Sequence, residues 1–423
     1  MVAIISVRFH PGKYIFELVR PIPEEYSKRE GDCVRVLITT DFYLPTLGGV
    51  TTVVLNERST LTKLGHEVRL LTIGPNRTSF YEDGVYHLHA SPLKLFPDSY
   101  MTFSYRDPLL ADILEWSPEV VHSNNEFFTM GYARRIAHAL GVRLVHTCHT
   151  DFTRYNEQMR IRHHLWDQLM GLVVKRRVRF SNLIISPSVA HHSMLCRYGI
   201  TKEMVVLPSG IELERFSLPP LVHTLEGLRA SLGLASSDFV LISVSRLAAE
   251  KRLNLTIDAF FLLSVLHKDA KLVIVGGGPK EASLKKQVRE LGLEKQVMFT
   301  GFVAPSDVSL YYHLADLFVS SSIRESQGLG FIEAMAASVP VLLQEDGSLG
   351  FSIEEEECGY LYGDERQFVH LVEHLMADRL RLEEMGRRAN EASKRFSLMR
   401  WARSLSSYLA GETPLEESHQ ADD

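Results

Sequence analysis

Residues 317–343 read LFVSSSIRESQGLGFIEAMAASVPVLL and contain a complete strand–helix–strand pattern. The run LFVSS predicts a strand, the stretch beginning near Gly328 predicts a helix, and VPVLL predicts a second strand. Gly328 and Gly330 leave the backbone N–H groups of the first helical turn open to an anion, which a helix N-terminus favours. The stretch therefore predicts an α/β protein in which a phosphate or a sugar hydroxyl docks at this helix.

Two glutamates, Glu325 and Glu333, bracket the start of this helix and stand eight positions apart. At about 1.5 Å per residue their positions are roughly 12 Å apart, so one carboxylate can serve a sugar ring while the other serves a ribose. The alternative is a solvated helix face that carries two unrelated glutamates, since surface glutamates on helices are common. Further motifs at matching places favour the first interpretation.

Strands and helices alternate along the chain. Near the N-terminus, a strand at residues 34–40 precedes a glycine loop, a helix near residues 51–64 and a strand at residues 68–72, an order that predicts mainly parallel sheets. Further strands are expected at residues 120–122, 144–146, 183–185, 205–207, 239–244, 272–275 and 297–299. We expect two Rossmann-like domains, residues 33–213 and 233–395, with a linker between residue 208 and about residue 232, where the periodicity lapses.

The two ends of the chain lie outside these domains. Residues 1–32 form an N-terminal extension to which the sequence assigns no function. A helix is expected at residues 396–410, and the acidic, polar residues 411–423 are expected to be a disordered tail.

Composition fits a two-domain enzyme. The chain has 423 residues, of which 45% are hydrophobic and 23% charged, so it can bury two ordinary cores. Its four cysteines lie far apart without a Cys-x-x-Cys pattern, which favours neither a disulfide framework nor a zinc site. No apolar run is long enough to span a bilayer, and the first residues lack the features of a signal peptide. We therefore expect a cytoplasmic protein.

Two cations follow the first strand of the second domain, in SRLAAEK at residues 245–251. Arg246 can bind phosphate oxygens bidentately and Lys251 acts as a point charge, so the pair can neutralise a diphosphate without a metal. The alternative is a surface ion pair between Lys251 and an acid one helical turn away. That alternative is disfavoured because Asn254 and Leu255 occupy the two positions in question.

Glycines close several other strands. The loop VGGGP at residues 275–279 lets a ligand approach the backbone, although a plain turn explains it about as well. The loop PTLGGV at residues 45–50 lacks the Gly-x-Gly-x-x-Gly pattern of a dinucleotide site, so an NAD enzyme is disfavoured. No Ser/His/Asp triad, metal-ligand cluster or Walker loop is evident, so hydrolysis by those routes is not supported. We expect neither a cofactor nor a metal.

The Glu-x7-Glu spacing, the following Ala-x-Ala and the SRLAAEK run together resemble the GT4 family of retaining glycosyltransferases. Ser245 stands where the family motif has glycine. The resemblance implies the GT-B fold, in which two Rossmann-like domains with parallel sheets face each other across a cleft, and a C-terminal helix that crosses back to the first domain. It also implies a metal-independent hexosyltransferase that uses a nucleotide sugar and retains the anomeric configuration.

The resemblance also assigns roles to residues. The catalytic residues it implies are His149, Glu325, Arg246 and Lys251. The donor-binding residues it implies are Gly48, Gly49, Gly301, Phe302, Val303, Gln327, Gly328, Leu329 and Glu333. Among these, Glu325 serves the sugar hydroxyls, Glu333 the ribose, and the loop containing Phe302 the base. Tight turns remain an alternative for the glycine loops, and His149 has a rival in His146, whose place within a strand favours a buried structural role.

The acceptor is indicated by residues 151–180, which carry seven basic and three acidic side chains, a balance of +4 in a chain of net charge −6. Apolar residues interleave with these charges, which suits an amphipathic surface on anionic lipid. The alternative is an ordinary packed helix with a solvated basic face. The side chains assigned to membrane or acceptor are Arg154, Tyr155, Trp166, Lys175, Arg176, Arg177 and Arg179.

This segment and the ESQGL sequence that starts at Glu325 resemble the diacylglycerol glucosyltransferase branch of the family. The branch implies transfer of glucose from UDP-glucose to a membrane lipid such as diacylglycerol, by a protein peripheral to the inner face of the membrane. A soluble sugar or polysaccharide acceptor is one alternative, and a noncatalytic binding module with this fold is another. We expect a nucleotide-sugar donor and a lipid or sugar acceptor as partners, and no nucleic acid.

Overall fold

The computed structural model describes residues 5–10, 13–18, 33–45, 49–92, 100–102, 106–150, 163–322, 328–345, 353 and 357–412. The chain divides into two compact units. The first unit contains Met1–Gly210 and Leu398–Asp423, and the second contains Ile211–Ser397.

The first unit is built on an eight-stranded sheet with the order β12-β11-β10-β9-β3-β4-β6-β5, parallel throughout except for the β5–β6 pair. Two short antiparallel pairs, β1–β2 and β7–β8, form separate two-stranded sheets. The strands are β1 (Ile5–His10), β2 (Lys13–Leu18), β3 (Arg35–Thr40), β4 (Glu67–Gly74), β5 (Phe80–Glu82), β6 (Val85–His89), β7 (Ser91–Pro92), β8 (Tyr100–Met101), β9 (Val120–Ser123), β10 (Arg143–Thr147), β11 (Leu183–Ser186) and β12 (Met204–Val206). The β1–β2 pair lies in the N-terminal extension, to which the sequence assigns no function.

Helices cover the sheet of the first unit. They are α1 (Gly49–Lys63), α2 (Leu109–Trp116), α3 (Thr129–Leu140), α4 (His163–Val178) and α5 (Val189–Arg197). The central strand β3 is almost wholly buried, as expected for a parallel strand covered on both faces. Helix α5 begins where the Ser188 side chain accepts a hydrogen bond from the His191 N–H, and α3 ends at Gly141 in the left-handed region.

The second unit has a six-stranded, wholly parallel sheet with the order β15-β14-β13-β16-β17-β18. Its strands are β13 (Phe239–Val244), β14 (Ala270–Val275), β15 (Val297–Gly301), β16 (Leu317–Ser320), β17 (Val341–Gln344) and β18 (Gly359–Tyr362). Its helices are α6 (Glu214–Ser217), α7 (Val222–Ser231), α8 (Leu253–Leu266), α9 (Glu281–Glu290), α10 (Val308–Tyr312), α11 (Leu329–Ala336), α12 (Glu365–Ala377) and α13 (Arg379–Ser393). The strand order reverses between β13 and β16, where ligands bind in open α/β sheets.

The last helix, α14 (Leu398–Ala410), belongs to the first unit. It buries an apolar stripe that includes Trp401 and Leu405 in the same core as Val36 and Ile38 of β3. Gly210 makes this return possible, because a Cβ there would lie 2.8 Å from the Leu398 Cα. The chain thus leaves and re-enters the first unit at one place.

The segment expected to be a linker is instead part of the second unit. Ile211, Leu213 and Phe216 are buried in its core, and α6 and α7 occupy most of the remainder. Proline and exposed residues between the two helices obscure this in the sequence, because the buried positions are too few and too irregular to show a period.

Within the residues that the structure describes, no helix is both long enough and apolar enough to cross a membrane.

Candidate functional site

The carboxyl ends of β13, β14 and β15 are joined into one edge by backbone hydrogen bonds. The Ser245 N–H donates to the Val275 carbonyl over 3.1 Å, and the Gly276 N–H donates to the Gly301 carbonyl over 3.1 Å. The loops that carry the predicted diphosphate and base contacts therefore support one another, although they are far apart in sequence.

Two glycines after β14 serve this contact between loops. A Cβ on Gly276 would lie 2.1 Å from the Ser245 carbonyl oxygen, and a Cβ on Gly278 would lie 2.5 Å from the Leu247 carbonyl oxygen. Gly276 also has a φ of +127°. The sequence interpretation, that these glycines admit a ligand, is therefore incomplete, because the neighbouring backbone already occupies that space.

Arg246 and Lys251 both lie at this edge. Arg246 is exposed directly after β13, and Lys251 ends a short 3₁₀ turn, Ala249–Lys251. The Ser322 hydroxyl, which follows β16, donates to the Glu250 carbonyl over 3.4 Å. The segment that leads toward the glutamate motif therefore returns to the turn that carries Lys251.

Helix α11 begins at the same edge. Its N-cap residue, Gly328, has a φ of +75°, and a Cβ there would overlap the Phe331 ring. A Cβ on Gly330 would lie 3.0 Å from the Val244 carbonyl oxygen, so the first turn packs against the end of β13. Leu329 is partly exposed beside it. The positive end of the helix therefore lies next to the strand that precedes Arg246.

Glu333 lies on α11 and is held by a tyrosine. The Tyr312 hydroxyl donates to Glu333 Oε2 over 2.7 Å. Burial raises the pKa of Glu333 to about 7, although the Tyr312 hydrogen bond and the charge of Arg215 oppose this rise. Burial and the nearby Glu333 charge raise the pKa of Tyr312 well above its usual value. Neither Tyr312 nor Arg215 was predicted as part of the site, because the pairing with Tyr312 spans 21 positions without any local pattern.

Phe302 follows β15 and is 81% exposed, an unusual position for a phenylalanine. Its backbone N lies 3.5 Å from the position of a Cβ on Gly277, so it belongs to the same edge. Gly301 before it has a φ of +68°, whereas Val303 after it packs against the core. The loop therefore exposes the Phe302 ring to solvent, while Val303 packs against the core of the second unit.

His149 lies in the first unit, just beyond the end of β10. Its Nε2 lies 2.8 Å from Asn124 Oδ1. Burial lowers the pKa of His149 to about 3, with a partly opposing effect from Glu126. The ring is therefore neutral near pH 7, which suits a hydrogen-bonding role better than an ionic one.

His146, the rival of His149, is fully buried, and its Nδ1 lies 3.0 Å from the Ser123 carbonyl oxygen. Its Nε2 lies 3.6 Å from Glu126 Oε1. Burial opposes ionisation of Glu126, but His146 and Cys148 hold the pKa of this carboxyl below its usual value. The ligand atoms of Glu126, His146 and Cys148 lie within 4.8 Å of one another. Carboxylate, imidazole and thiolate groups are all metal ligands in proteins.

Several predicted site residues lie outside the described part of the chain. These are Gly48, Arg154, Tyr155, Glu325 and Gln327, as well as the side chain of Trp166. Gly49 is the first residue of α1, and a Cβ there would meet nothing within 4 Å. Both interpretations of its loop, a tight turn and a ligand contact, therefore remain open.

The described part of the basic segment is helix α4 and the residues after it. Leu169 and Leu172 are 49% and 66% exposed, and Lys175, Arg176 and Arg179 are exposed farther along. The Arg179 guanidinium lies 4.4 Å from the centre of the Phe180 ring. Apolar and basic groups therefore follow one another along the exposed side of α4, whereas Val174 and Val178 are buried in the core of the first unit. We call this exposed side the α4 surface; its residues are Leu169, Leu172, Lys175, Arg176 and Arg179.

Two family models match the chain. The family described as "Glycosyltransferase Family 4" matches residues 47–215, and the family described as "Glycosyl transferases group 1" matches residues 226–395. The chain belongs to glycosyltransferase family 4. Alpha-monoglucosyldiacylglycerol synthase of Streptococcus pneumoniae is 28% identical to this glycosyltransferase over 374 residues, which are 85% of each chain. The protein with the same name in Acholeplasma laidlawii is 28% identical over 370 residues, which are 84% of this chain and 90% of that one.

The glycosyltransferase also resembles solved structures. Anabaena Alr3699/HepE, solved in complex with UDP and glucose, has a TM-score of 0.66 and 18% identity, over 89% of this chain and 99% of that one. This likeness confirms the predicted GT-B fold class. The two family models confirm the family resemblance, and the structural likeness confirms the fold predicted from the sequence.

The structure of this glycosyltransferase groups the described residues that were predicted for the donor site as follows. In the second unit, one sheet edge brings together Arg246, Lys251, Gly301, Phe302, Gly328 and Leu329, with Glu333 farther along α11. His149 and Gly49 belong to the first unit. Sequence reasoning missed the polar partners of these residues, which are Tyr312 beside Glu333, Asn124 beside His149, and Glu57 beside Asn124.

Proposed function

We propose that this glycosyltransferase moves glucose from UDP-glucose to a hydroxyl of a membrane lipid such as diacylglycerol, with retention of configuration and without a metal. The observation that carries the proposal is the single edge of the second unit where two cations, an exposed aromatic ring and a helix N-terminus meet. The names of the Streptococcus and Acholeplasma relatives support a glucosyl donor and a diacylglycerol-type acceptor.

The donor nucleotide is bound at this edge. Arg246 and Lys251 take the diphosphate, and the N-terminus of α11 adds its partial positive charge. Phe302 stacks on the base, since any base offers a flat face to an exposed ring. Glu333, oriented by Tyr312, accepts hydrogen bonds from the ribose hydroxyls. Glu325 and Gln327 serve the sugar and phosphate.

The chemical step needs no covalent nucleophile. The acceptor oxygen bonds to the anomeric carbon as the bond from that carbon to the diphosphate oxygen breaks, and the electron pair stays on the diphosphate. The leaving diphosphate takes the proton of the acceptor hydroxyl on the same face, so configuration is retained. Arg246 and Lys251 stabilise the charge that develops there. His149, being neutral, orients a donor-sugar hydroxyl.

The α4 surface approaches the lipid. Exposed leucines at 49% and 66% enter the apolar boundary of the bilayer, and the neighbouring lysine and arginines attract anionic headgroups. Binding through the α4 surface also keeps the enzyme at the membrane, where the lipid acceptor lies. The competing interpretation, a solvated helix face, predicts no dependence of activity on anionic lipid.

The test is a panel of nucleotide sugars assayed for nucleotide release, with vesicles that contain diacylglycerol and anionic lipid, with neutral vesicles, and without vesicles. We expect release from UDP-glucose only with vesicles that contain diacylglycerol, and a glucolipid of α configuration in the product. Equal release with a soluble sugar acceptor would favour the alternative acceptor. Tight nucleotide-sugar binding without release under any condition would favour a noncatalytic module.

A further inference from the structure

A glutamate is fully buried in the first unit without any role in the proposed chemistry. Glu57 lies on the inner face of α1, beside Val54 and Leu61, and has no exposed surface. Burying a carboxylate is costly unless its oxygens accept hydrogen bonds. Both oxygens of Glu57 do so, and their partners lead directly to His149.

The hydrogen bonds form a chain. Glu57 Oε1 lies 2.5 Å from His122 Nδ1, and Glu57 Oε2 accepts from Asn124 Nδ2 over 3.0 Å. Asn124, which is also fully buried, places its Oδ1 2.8 Å from His149 Nε2. His122 is held in turn by Thr147, whose Oγ1 lies 2.8 Å from His122 Nε2. One asparagine therefore joins the buried carboxylate to the predicted sugar-contacting histidine.

The direction of each hydrogen bond follows from the groups involved. A carboxylate only accepts, so Asn124 must turn its NH2 group toward Glu57 and its carbonyl oxygen toward His149. A carbonyl oxygen also only accepts, so His149 Nε2 must carry the hydrogen. In a neutral imidazole the other nitrogen, Nδ1, is then a bare acceptor.

We propose that Glu57 is a positioning residue that acts through Asn124 to fix His149 in the Nε2–H tautomer, so that His149 Nδ1 accepts a hydrogen bond from a hydroxyl of the donor sugar. The tautomer follows from the structure of the first unit, whereas the sugar contact rests on the proposed function. The competing role for Glu57 is purely structural, as a buried partner of His122.

Glu57→Gln separates these roles, because it keeps the shape of the side chain but replaces a carboxylate, which only accepts hydrogen bonds, with an amide that can also donate them. If the substituted amide keeps its oxygen toward His122, its NH2 group faces Asn124. Asn124 then turns over, offers its own NH2 group to His149, and reverses the tautomer. Nitrogen-15 NMR on protein labelled in histidine distinguishes the tautomers, because protonated and bare ring nitrogens resonate far apart. Spectra of His149→Gln assign the signal.

In the parent protein we expect His149 to carry its hydrogen on Nε2. In Glu57→Gln we expect the hydrogen on Nδ1, and a fall in kcat/KM for transfer of about tenfold, the effect of one lost hydrogen bond. UDP affinity should stay within about twofold, because the proposed UDP contacts lie in the second unit. Glu57→Leu, which leaves Asn124 free to turn either way, should give a mixture of tautomers.

A parent protein with the hydrogen on Nδ1 would overturn the proposal, whatever happens to the variants. An unchanged tautomer in a folded Glu57→Gln protein would also overturn it, and would leave Glu57 as a structural partner of His122. A reversed tautomer with unchanged kcat/KM would refute the sugar contact. If the parent transfers no sugar, the NMR result still decides the tautomer, so failure of the proposed function is recognised separately.

Discussion

The hydroxyl of Tyr312 donates a 2.7 Å hydrogen bond to Glu333 Oε2, and this contact favours the ionised form of a carboxyl whose burial favours the protonated form. Burial raises the pKa of Glu333 to about 7, and the tyrosine and Arg215 limit the rise. When Glu333 is ionised, both of its oxygens can accept hydrogen bonds from hydroxyl groups. When it is protonated, one oxygen carries a hydrogen and accepts less well. Binding of the donor should therefore respond to pH.

We expect the apparent KM for the nucleotide sugar to fall as pH rises through about 7, because the ionised Glu333 accepts hydrogen bonds from the ribose. Glu333→Gln should raise that KM by about tenfold at pH 8 and flatten its pH dependence. Tyr312→Phe is the matched variant. It removes a hydrogen bond that lowers the Glu333 pKa, so it should move the transition to higher pH. A pH profile unchanged in both variants would contradict the ribose assignment.

The same pKa shift predicts an effect on stability. The pKa of Glu333 is raised in the folded protein from 4.5, so the folded state holds the proton more tightly. This contribution is fully present below about pH 4.5 and is lost as pH rises through about 7. We expect Glu333→Gln to raise Tm at pH 8 relative to the parent and to have less effect at pH 5. Scanning calorimetry measures both, and a Tm change of equal size at the two pH values would contradict the shift.

We expect Arg246→Ala and Lys251→Ala each to weaken UDP binding by about tenfold or more and to slow transfer, because each removes a cation that faces the leaving diphosphate. Isothermal titration calorimetry and initial rates measure these effects. Lys286→Ala is the control, since this lysine is exposed on α9 and pairs with Glu290 over 3.4 Å. Unchanged affinity and turnover in both test variants would refute the diphosphate site.

We expect Phe302→Ala to weaken UDP binding by about tenfold, because it removes the exposed ring from the edge where the base is proposed to stack. Phe302→Tyr keeps a ring and should bind UDP nearly as well as the parent. Since Phe302 is 81% exposed, neither substitution should lower the free energy of unfolding appreciably. If the alanine variant binds UDP like the parent, the base lies elsewhere.

We expect reversal of Lys175, Arg176 and Arg177 to glutamate to abolish binding to anionic vesicles while nucleotide binding stays intact. Binding of the parent should fall with added salt, since exposed charges are screened beyond about 8 Å at physiological ionic strength. Neutral vesicles should bind the parent poorly. Cosedimentation with vesicles measures all three effects.

The control for this reversal is an equal charge change in the second unit, at Lys286, Arg289 and Lys295, which are exposed. This control should still bind anionic vesicles more strongly than the α4 variant does. If both variants lose vesicle binding equally, binding depends on the net charge of the protein and not on the α4 surface. If the α4 variant sediments like the parent, the α4 surface is an ordinary solvated face and the soluble-acceptor alternative becomes the better one.

We expect transfer to continue at the parent rate after dialysis against EDTA, because Arg246 and Lys251 are proposed to take the place of a metal at the diphosphate. The group formed by Glu126, His146 and Cys148 makes this experiment necessary, since its ligand atoms lie within 4.8 Å of one another. Metal analysis of the dialysed protein is the companion measurement. Activity that is lost on dialysis and restored by a divalent cation would contradict metal independence.

Much of the fold was predictable because parallel strands covered on both faces appear as short continuous apolar runs. Phe239–Val244 is one such run, and it forms the central strand β13 with five of its six residues buried. The positions of the candidate functional groups that follow these strands were predictable for the same reason. Arg246 and Phe302 each come just after a strand, and parallel strands place such residues along one edge.

The sequence by itself therefore determined most strands of the two main sheets, although it missed β5, β6 and β18. It also determined which family the chain belongs to and which side chains lie at the edge where the donor is proposed to bind. Only the tertiary structure decided the partners of those side chains. Glu333 accepts a hydrogen bond from a tyrosine 21 positions away, and Asn124 is oriented by a glutamate 67 positions away. The physical reason is that periodicity records whether a residue is buried, whereas a hydrogen bond between distant residues depends on how the helices stack on the sheet.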